Sequence, residues 1–84
     1  MHMDMDIATA TKNRILHLCG ERNITINKLS TLSAVSPSSI KSILYGKSKN
    51  PTMLTIKLLC DGLDITLKEF FDCDDFNNME QTLK

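Results

Sequence analysis

The sequence has no Trp, one Tyr, three Gly and two Pro among its 84 residues. No apolar run approaches the roughly 18 residues of a membrane span, and no signal-peptide core is evident, so we expect no membrane partner and a cytoplasmic location. The length excludes barrels and doubly wound sheets. So few glycines also give no Gly-rich phosphate-binding loop. What remains possible is one small domain with a single core.

Cysteine and histidine are also scarce. The three cysteines, Cys19, Cys60 and Cys73, cannot all pair and form no CxxC motif, so we expect reduced thiols. His17 and Cys19 are two residues apart, which places them on different sides of a helix and disfavours a shared metal ion. With His2 as the only other histidine, no Ser-His-Asp arrangement can be argued. We therefore expect no metal, no cofactor and no enzymatic activity.

The net charge is zero, but the charge is unevenly distributed. Residues 1–21 hold three acids and two bases, residues 22–60 hold six bases and no acid, and residues 61–84 hold seven acids and two bases. A basic segment beside an acidic one suits a protein that presents one face to a polyanion. The alternative is that the opposite charges lie near each other and only improve solubility.

Hydrophobic spacing and capping residues predict a compact all-α fold of five short helices, at about 7–22, 26–33, 37–44, 53–62 and 67–72. Thr25 and Thr52 are candidate N-caps, Ser36 precedes Pro37 at a helix start, and Thr66 with Glu69 forms a capping box. Residues 1–6 are predicted to be an N-terminal extension, 7–72 the domain, and 73–84 an acidic tail or a short extra element.

The inward residues follow from the same spacing. Leu29 and Leu32 are predicted to face inward from the second helix. In the fourth helix the apolar positions are Leu54, Leu58 and Leu59, or alternatively Ile56, Leu59 and Cys60.

The second and third predicted helices are joined by only residues 34–36. So short a link forces a steep crossing rather than an antiparallel hairpin. Val35 can fill the corner, and the small Ser30 and Ala34 allow the backbones to approach. This is a helix-turn-helix arrangement, in which the second helix of the pair enters the DNA major groove.

The order of these elements resembles the Cro and repressor type of helix-turn-helix domain, the XRE family, over about residues 7–72. The resemblance rests on Leu29, Ser30, Ala34, Val35 and Ile40, followed by the loop 46–51 and the closing segment 65–71. It implies a five-helix repressor-like domain that binds specific double-stranded DNA in transcriptional control.

The resemblance also implies site residues. Base-reading positions fall on Pro37, Ser38, Lys41 and Ser42 of a recognition helix spanning about Pro37–Tyr45. Positions that contact the DNA backbone fall on Thr25, Ile26, Ser39, Tyr45, Lys47, Lys49 and Asn50. Ser36 joins them because a helix N-terminus can face a phosphate.

Five positions depart from the family pattern. Ile26 stands where Gln is common, and Pro37 and Ser38 stand where long polar side chains are common. Ala34 and Asp64 each replace a frequent Gly. Because serine pairs with several bases, direct readout should be weak and DNA shape should contribute to specificity.

One such domain covers about half a site, so a homodimer is expected, with no small-molecule effector evident. The candidate dimer surface is the fifth helix and the tail, including Phe70, Phe71 and Phe76. Alternatively, these rings only close the core of the monomer. A second hypothesis for function is a protein-interaction module that retains the fold and docks a partner through its acidic C-terminal region.

Overall fold

The computed structural model describes residues 6–46 and 50–79. Within these two segments the chain forms six helices and no strand: α1 (Ile7–Arg22), α2 (Ile26–Ser33), α3 (Pro37–Leu44), α4 (Met53–Leu63), α5 (Leu67–Phe71) and α6 (Asp74–Asn77). The all-α prediction is confirmed, and the first five helices match the predicted ones to within one residue at each end. The sixth is a single turn within the segment predicted as a tail or short element.

Side-chain caps define where the helices begin. The Asp6 carboxylate accepts a hydrogen bond from the Thr9 amide at 2.8 Å, and the hydroxyl of Thr25 accepts one from the Lys28 amide at 3.0 Å. Each cap satisfies one of the amides that the first helical turn leaves without a partner. The predicted capping box of α5 is also present.

Three helices end at a non-glycine residue in the left-handed conformation. These residues are Asn23, Ala34 and Asp64, with φ between 56° and 60°. Asn and Asp adopt this conformation more readily than other L-residues do, whereas Ala has no such advantage. Ala34 therefore carries more backbone strain than the other two.

The core lies between the first five helices. Its fully buried large side chains are Ile15, Leu29, Ile40, Leu59, Cys60 and Phe70. Cys19 is buried as well, so two of the three thiols behave as small hydrophobic groups.

The prediction that Leu32 faces inward is wrong, since this side chain is 46% exposed. Helix α2 packs mainly against α4, and its inward stripe is Leu29 and Ser33, four residues apart. A Cβ atom on Gly62 of α4 would lie only 2.9 Å from the backbone of Ser33. This close approach orients α2 and leaves Leu32 at the surface.

In α4 the second predicted alternative is the observed one. Ile56, Leu59 and Cys60 are buried, whereas Leu54 is 66% exposed. The neighbouring Met53 is exposed too, so the helix begins with an apolar surface and becomes central only after its first turn.

Two arginines of α1 hold the C-terminal ends of other helices. The Arg14 guanidinium donates to the carbonyl oxygens of Phe70 and Glu69, both at 2.7 Å. Arg22 donates to the carbonyl oxygen of Leu63 at 3.2 Å. Carbonyls at a helix C-terminus have no partner within the helix and carry partial negative charge, so a cation is favourable there.

The three phenylalanines form one cluster within the monomer. The ring centroid of Phe71 lies 4.9 Å from those of Phe70 and Phe76 in edge-to-face geometry. Phe70 is fully buried and therefore closes the monomer core, while Phe71 and Phe76 are only partly buried. Helix α6 contacts α1, which places Phe76 against the core.

Candidate nucleic-acid interface

Helices α2 and α3 meet at a corner of three residues, Ala34–Ser36. Val35 is 7% exposed and fills the corner, as predicted, and Leu29 and Ile40 are fully buried on either side of it. Ser36 caps α3 by accepting a hydrogen bond from the Ser39 amide at 3.2 Å, and Pro37 occupies the first turn. The local signals of the sequence thus produce two helices joined by a three-residue corner.

One face of α3 is buried and the opposite face is open. Ile40, Ile43 and Leu44 lie in the core, whereas Pro37, Ser38 and Lys41 are exposed and Ser42 is partly buried. Four predicted base-reading positions therefore lie on or beside one outward surface, which we call the α3 face: Pro37, Ser38, Lys41 and Ser42.

The serine hydroxyls at the start of α3 interact with one another. Ser36 donates to the Ser39 hydroxyl at 2.9 Å, and its oxygen lies 3.4 Å from that of Ser38. All three side chains are exposed. The first turn of α3 is therefore polar, compact and without any long side chain.

The predicted DNA-backbone positions have different surroundings. Thr25 is exposed and caps α2, but the Ile26 side chain packs against the core. Tyr45 is 71% exposed, and Gly46 (φ 80°) begins the loop to α4. Asn50 is exposed, while Lys47 and Lys49 lie outside the described residues.

Some basic residues of segment 22–60 are engaged within the protein. Arg22 caps α4 as described above, and Lys57 pairs with Asp61 one turn further along α4. The Asp61 carboxylate raises the pKa of Lys57. Lys28 and Lys41 are exposed and make no ion pair within 6–46 and 50–79.

Sequence reasoning missed the roles of Arg14 and Arg22, although their spacing of eight residues places them near one side of α1.

Among the described residues, three further groups have shifted pKa values. Burial raises the pKa of the Cys19 and Cys60 thiols, which disfavours the reactive thiolate. The backbone amide of Thr66 donates to the Glu69 carboxylate and lowers its pKa. Among the described residues, no group of three or more His, Cys, Asp and Glu is arranged to hold a metal ion.

A groove of about 430 Å³ lies beside α5. The apolar residues Met53, Leu67 and Phe71 line it together with Lys68, Asp72 and Asn77. This groove is part of the surface that the sequence suggested for dimer formation.

The chain belongs to the family of Cro/C1-type HTH DNA-binding domains, whose model matches residues 14–75. The resemblance seen in the sequence is thereby confirmed. The fold is also similar to a solved structure described as the crystal structure of the prophage Lp1 protein 11. The two share 32% sequence identity with a TM-score of 0.77, over 89% of this chain and 97% of the other.

No curated protein matches the chain. In the part of the chain that the structure describes, no helix combines the length and hydropathy needed to cross a bilayer.

Proposed function

We propose that this protein is a sequence-specific transcriptional regulator that binds double-stranded DNA with α3 in the major groove. The observation that supports this most is the α3 face, because its residues project from a helix whose opposite side is fixed in the core. A helix presented in this way can enter a groove about 12 Å wide without rearrangement.

The α3 face would read bases mainly through close approach. Pro37, Ser38 and Ser42 have short side chains that allow the helix backbone to come near the base edges. Lys41 is the one long polar side chain of this face, and it would reach the acceptors of a guanine. Because so few side chains can discriminate between bases, much of the specificity would come from DNA shape.

The surrounding positions would contact the DNA backbone. The N-termini of α2 and α3, at Thr25 and Ser36, offer amides and partial positive charge to phosphates. Since the Ile26 side chain is packed inward, only its amide could contribute. The hydroxyls of Ser39 and Tyr45, the amide of Asn50 and the ammonium groups of Lys47 and Lys49 complete the proposed contacts.

A homodimer would supply the second half-site, and we propose the groove beside α5 as its interface. Lys68 and Asp72 lie four residues apart at a groove that also holds Met53, Leu67 and Phe71. A two-fold axis through this groove would place Lys68 opposite Asp72 of the second copy while burying the apolar side chains. Such self-complementarity is what a symmetric dimer requires.

The test of DNA recognition is selection from random duplexes, followed by sequencing of the retained molecules. We expect a palindromic motif with half-sites about one helical turn apart and binding that weakens steeply as salt rises. Replacing Lys47 and Lys49 by Ala should lower affinity for all sequences alike. Absence of duplex binding, or binding that salt leaves unchanged, would contradict the proposal.

The test of the dimer compares Met53→Lys with Leu54→Lys. These neighbours are similarly exposed, at 64% and 66%, but only Met53 lines the groove. Met53→Lys should shift the protein to monomer in sedimentation equilibrium and weaken binding to the palindrome more than to a single half-site. Equal behaviour of the two variants would place the interface elsewhere.

One observation favours a second function, a protein-interaction module. Arg22 and Lys57 are engaged within the fold, and Lys41 is the one long polar side chain of the α3 face, so fewer cations of segment 22–60 are available to DNA than the sequence suggests. Binding of a protein partner through the acidic end should then be lost in Asp74→Asn with Asp75→Asn. These substitutions are preferable to deletion, because Phe76 packs against the core.

A further inference from the structure

Helices α1 and α4 end with the same arrangement of backbone hydrogen bonds. In each, the residue after the left-handed position donates its amide to a carbonyl five residues earlier: Ile24 to Cys19 at 3.1 Å, and Ile65 to Cys60 at 3.0 Å. This bond closes the helix end and fixes the direction in which the chain leaves it.

Helix α2 ends differently. The Ala34 amide donates a hydrogen bond to the Ser30 carbonyl at 2.9 Å. The amide of the next residue, Val35, donates to the Ser33 hydroxyl oxygen at 3.3 Å and not to a backbone carbonyl. The Ser33 hydroxyl in turn donates to the Leu29 carbonyl at 2.7 Å. A side-chain hydroxyl thus replaces the backbone bond that closes the other two helices.

The carbonyl of Val35 also has a serine partner. The Ser30 hydroxyl donates to this oxygen at 2.6 Å, so both polar backbone groups of Val35 are held by hydroxyls of the preceding helix. We call the two hydroxyls of Ser30 and Ser33, with their bonds to Val35, the serine bridge. It spans the corner at the residue directly before Ser36, where α3 begins.

We infer that Ser30 and Ser33 are positioning residues that set the orientation of α3 for base reading, an inference that rests on the proposed DNA-binding function. The peptide groups of Val35 determine the direction in which α3 leaves the corner. At this corner the left-handed residue is Ala34, whose strained backbone favours relaxation if the hydroxyls are lost.

The α3 face makes orientation especially important. Ser38 and Ser42 have short side chains that cannot extend to recover a contact after α3 tilts. A small rotation would therefore remove base contacts, while phosphate contacts by long lysine side chains would persist. Loss of the serine bridge should consequently reduce the preference for the selected sequence more than it reduces binding to DNA in general.

The experiment compares Ser30→Ala and Ser33→Ala with Thr31→Ala. Thr31 is the matched control, because its exposed hydroxyl donates to the Asn27 carbonyl at 3.1 Å in the same helix and not to Val35. Affinity is measured for the selected duplex and for an unrelated duplex of equal length. Each serine variant should lower the ratio of the two affinities by about tenfold, with an unchanged salt slope, whereas Thr31→Ala should keep the ratio.

Two further measurements test whether the hydrogen bonds of the hydroxyls are responsible for the change. Ser30→Cys retains the size of the side chain but donates weakly, and should lower the ratio as Ser30→Ala does. In Ser33→Ala the Val35 amide should exchange hydrogen faster than in the parent protein. If the serine variants lose stability but keep the affinity ratio, the hydroxyls are merely structural and the inference is overturned. If the parent protein binds neither duplex, the proposed function itself fails.

Discussion

The contact between α2 and α4 at Gly62 gives the most direct test of how the corner is held. A Cβ atom built on Gly62 lies 2.9 Å from the amide nitrogen, Cα and Cβ of Ser33. These atoms belong to backbone or are attached directly to it, so no side-chain rotation relieves the contact. Gly62→Ala should therefore force α2 and α4 apart.

The expected cost can be separated from helix propensity. Overpacking of this kind costs about 1–3 kcal/mol, while Ala is favoured over Gly within a helix by about 0.8–1 kcal/mol. The matched control is Gly20→Ala, since Gly20 also lies near a helix end and a Cβ there would meet nothing within 4 Å. The propensity gain largely cancels between the two variants, so their difference in unfolding free energy reports the contact alone.

Urea and thermal unfolding would measure this difference. Gly20→Ala should be more stable than the parent protein, and Gly62→Ala should be about 1–3 kcal/mol less stable than Gly20→Ala. For a domain of this size, each kcal/mol corresponds to about 4–8 °C in Tm. If Gly62→Ala is as stable as Gly20→Ala, the close packing of α4 on Ser33 does not hold the helices in place, and our account of the corner is wrong.

Three other predictions concern charged groups. Lys41→Ala should lower affinity for the selected duplex by about 1–3 kcal/mol in a binding titration, whereas Lys57→Ala should have little effect because Asp61 already pairs with that ammonium; equal effects would show that Lys41 acts only as charge. Arg14→Ala should destabilise the fold by about 1–3 kcal/mol in urea unfolding, because two carbonyl oxygens of the α5 end lose their donor, and an unchanged midpoint would contradict that role. Glu69 has a lowered pKa, so its contribution to stability is present above its unfolded pKa and is lost as the pH falls through the folded pKa. Glu69→Gln should therefore flatten the acid side of the curve of unfolding free energy against pH. An unaltered pH dependence would argue against this role of Glu69.

The helices were predictable because their start signals are local. Thr25, Ser36 and Thr66 each cap an amide three residues ahead, and no distant contact is needed to recognise that pattern. The open face of α3 follows equally from helical spacing, since Ile40, Ile43 and Leu44 leave the opposite side for Ser38 and Lys41.

Tertiary contacts determine the features that local sequence patterns did not predict. Whether Leu29 pairs with Leu32 or with Ser33 on the inward side depends on where α4 approaches, and Gly62 determines that approach. Arg14 and Arg22 resembled ordinary surface cations, because their carbonyl partners lie 41 to 56 residues further along the chain. The contacts of individual residues with DNA stay predictions.

The internal use of arginine affects how the protein would bind DNA. Among the described basic residues of segment 22–60, Arg22 and Lys57 have partners within the fold, and Lys41 lies on the α3 face. The ammonium groups proposed to meet phosphates are therefore those of Lys47 and Lys49. Two neutralised phosphates give a salt slope of about −1.8 for one subunit and about −3.6 for a dimer. Such an electrostatic contribution is modest for one domain, and the short side chains of the α3 face add little direct readout. Specific binding would therefore depend on two rigidly held copies of α3. It would require both the proposed dimer interface at the groove and the corner that orients the helix.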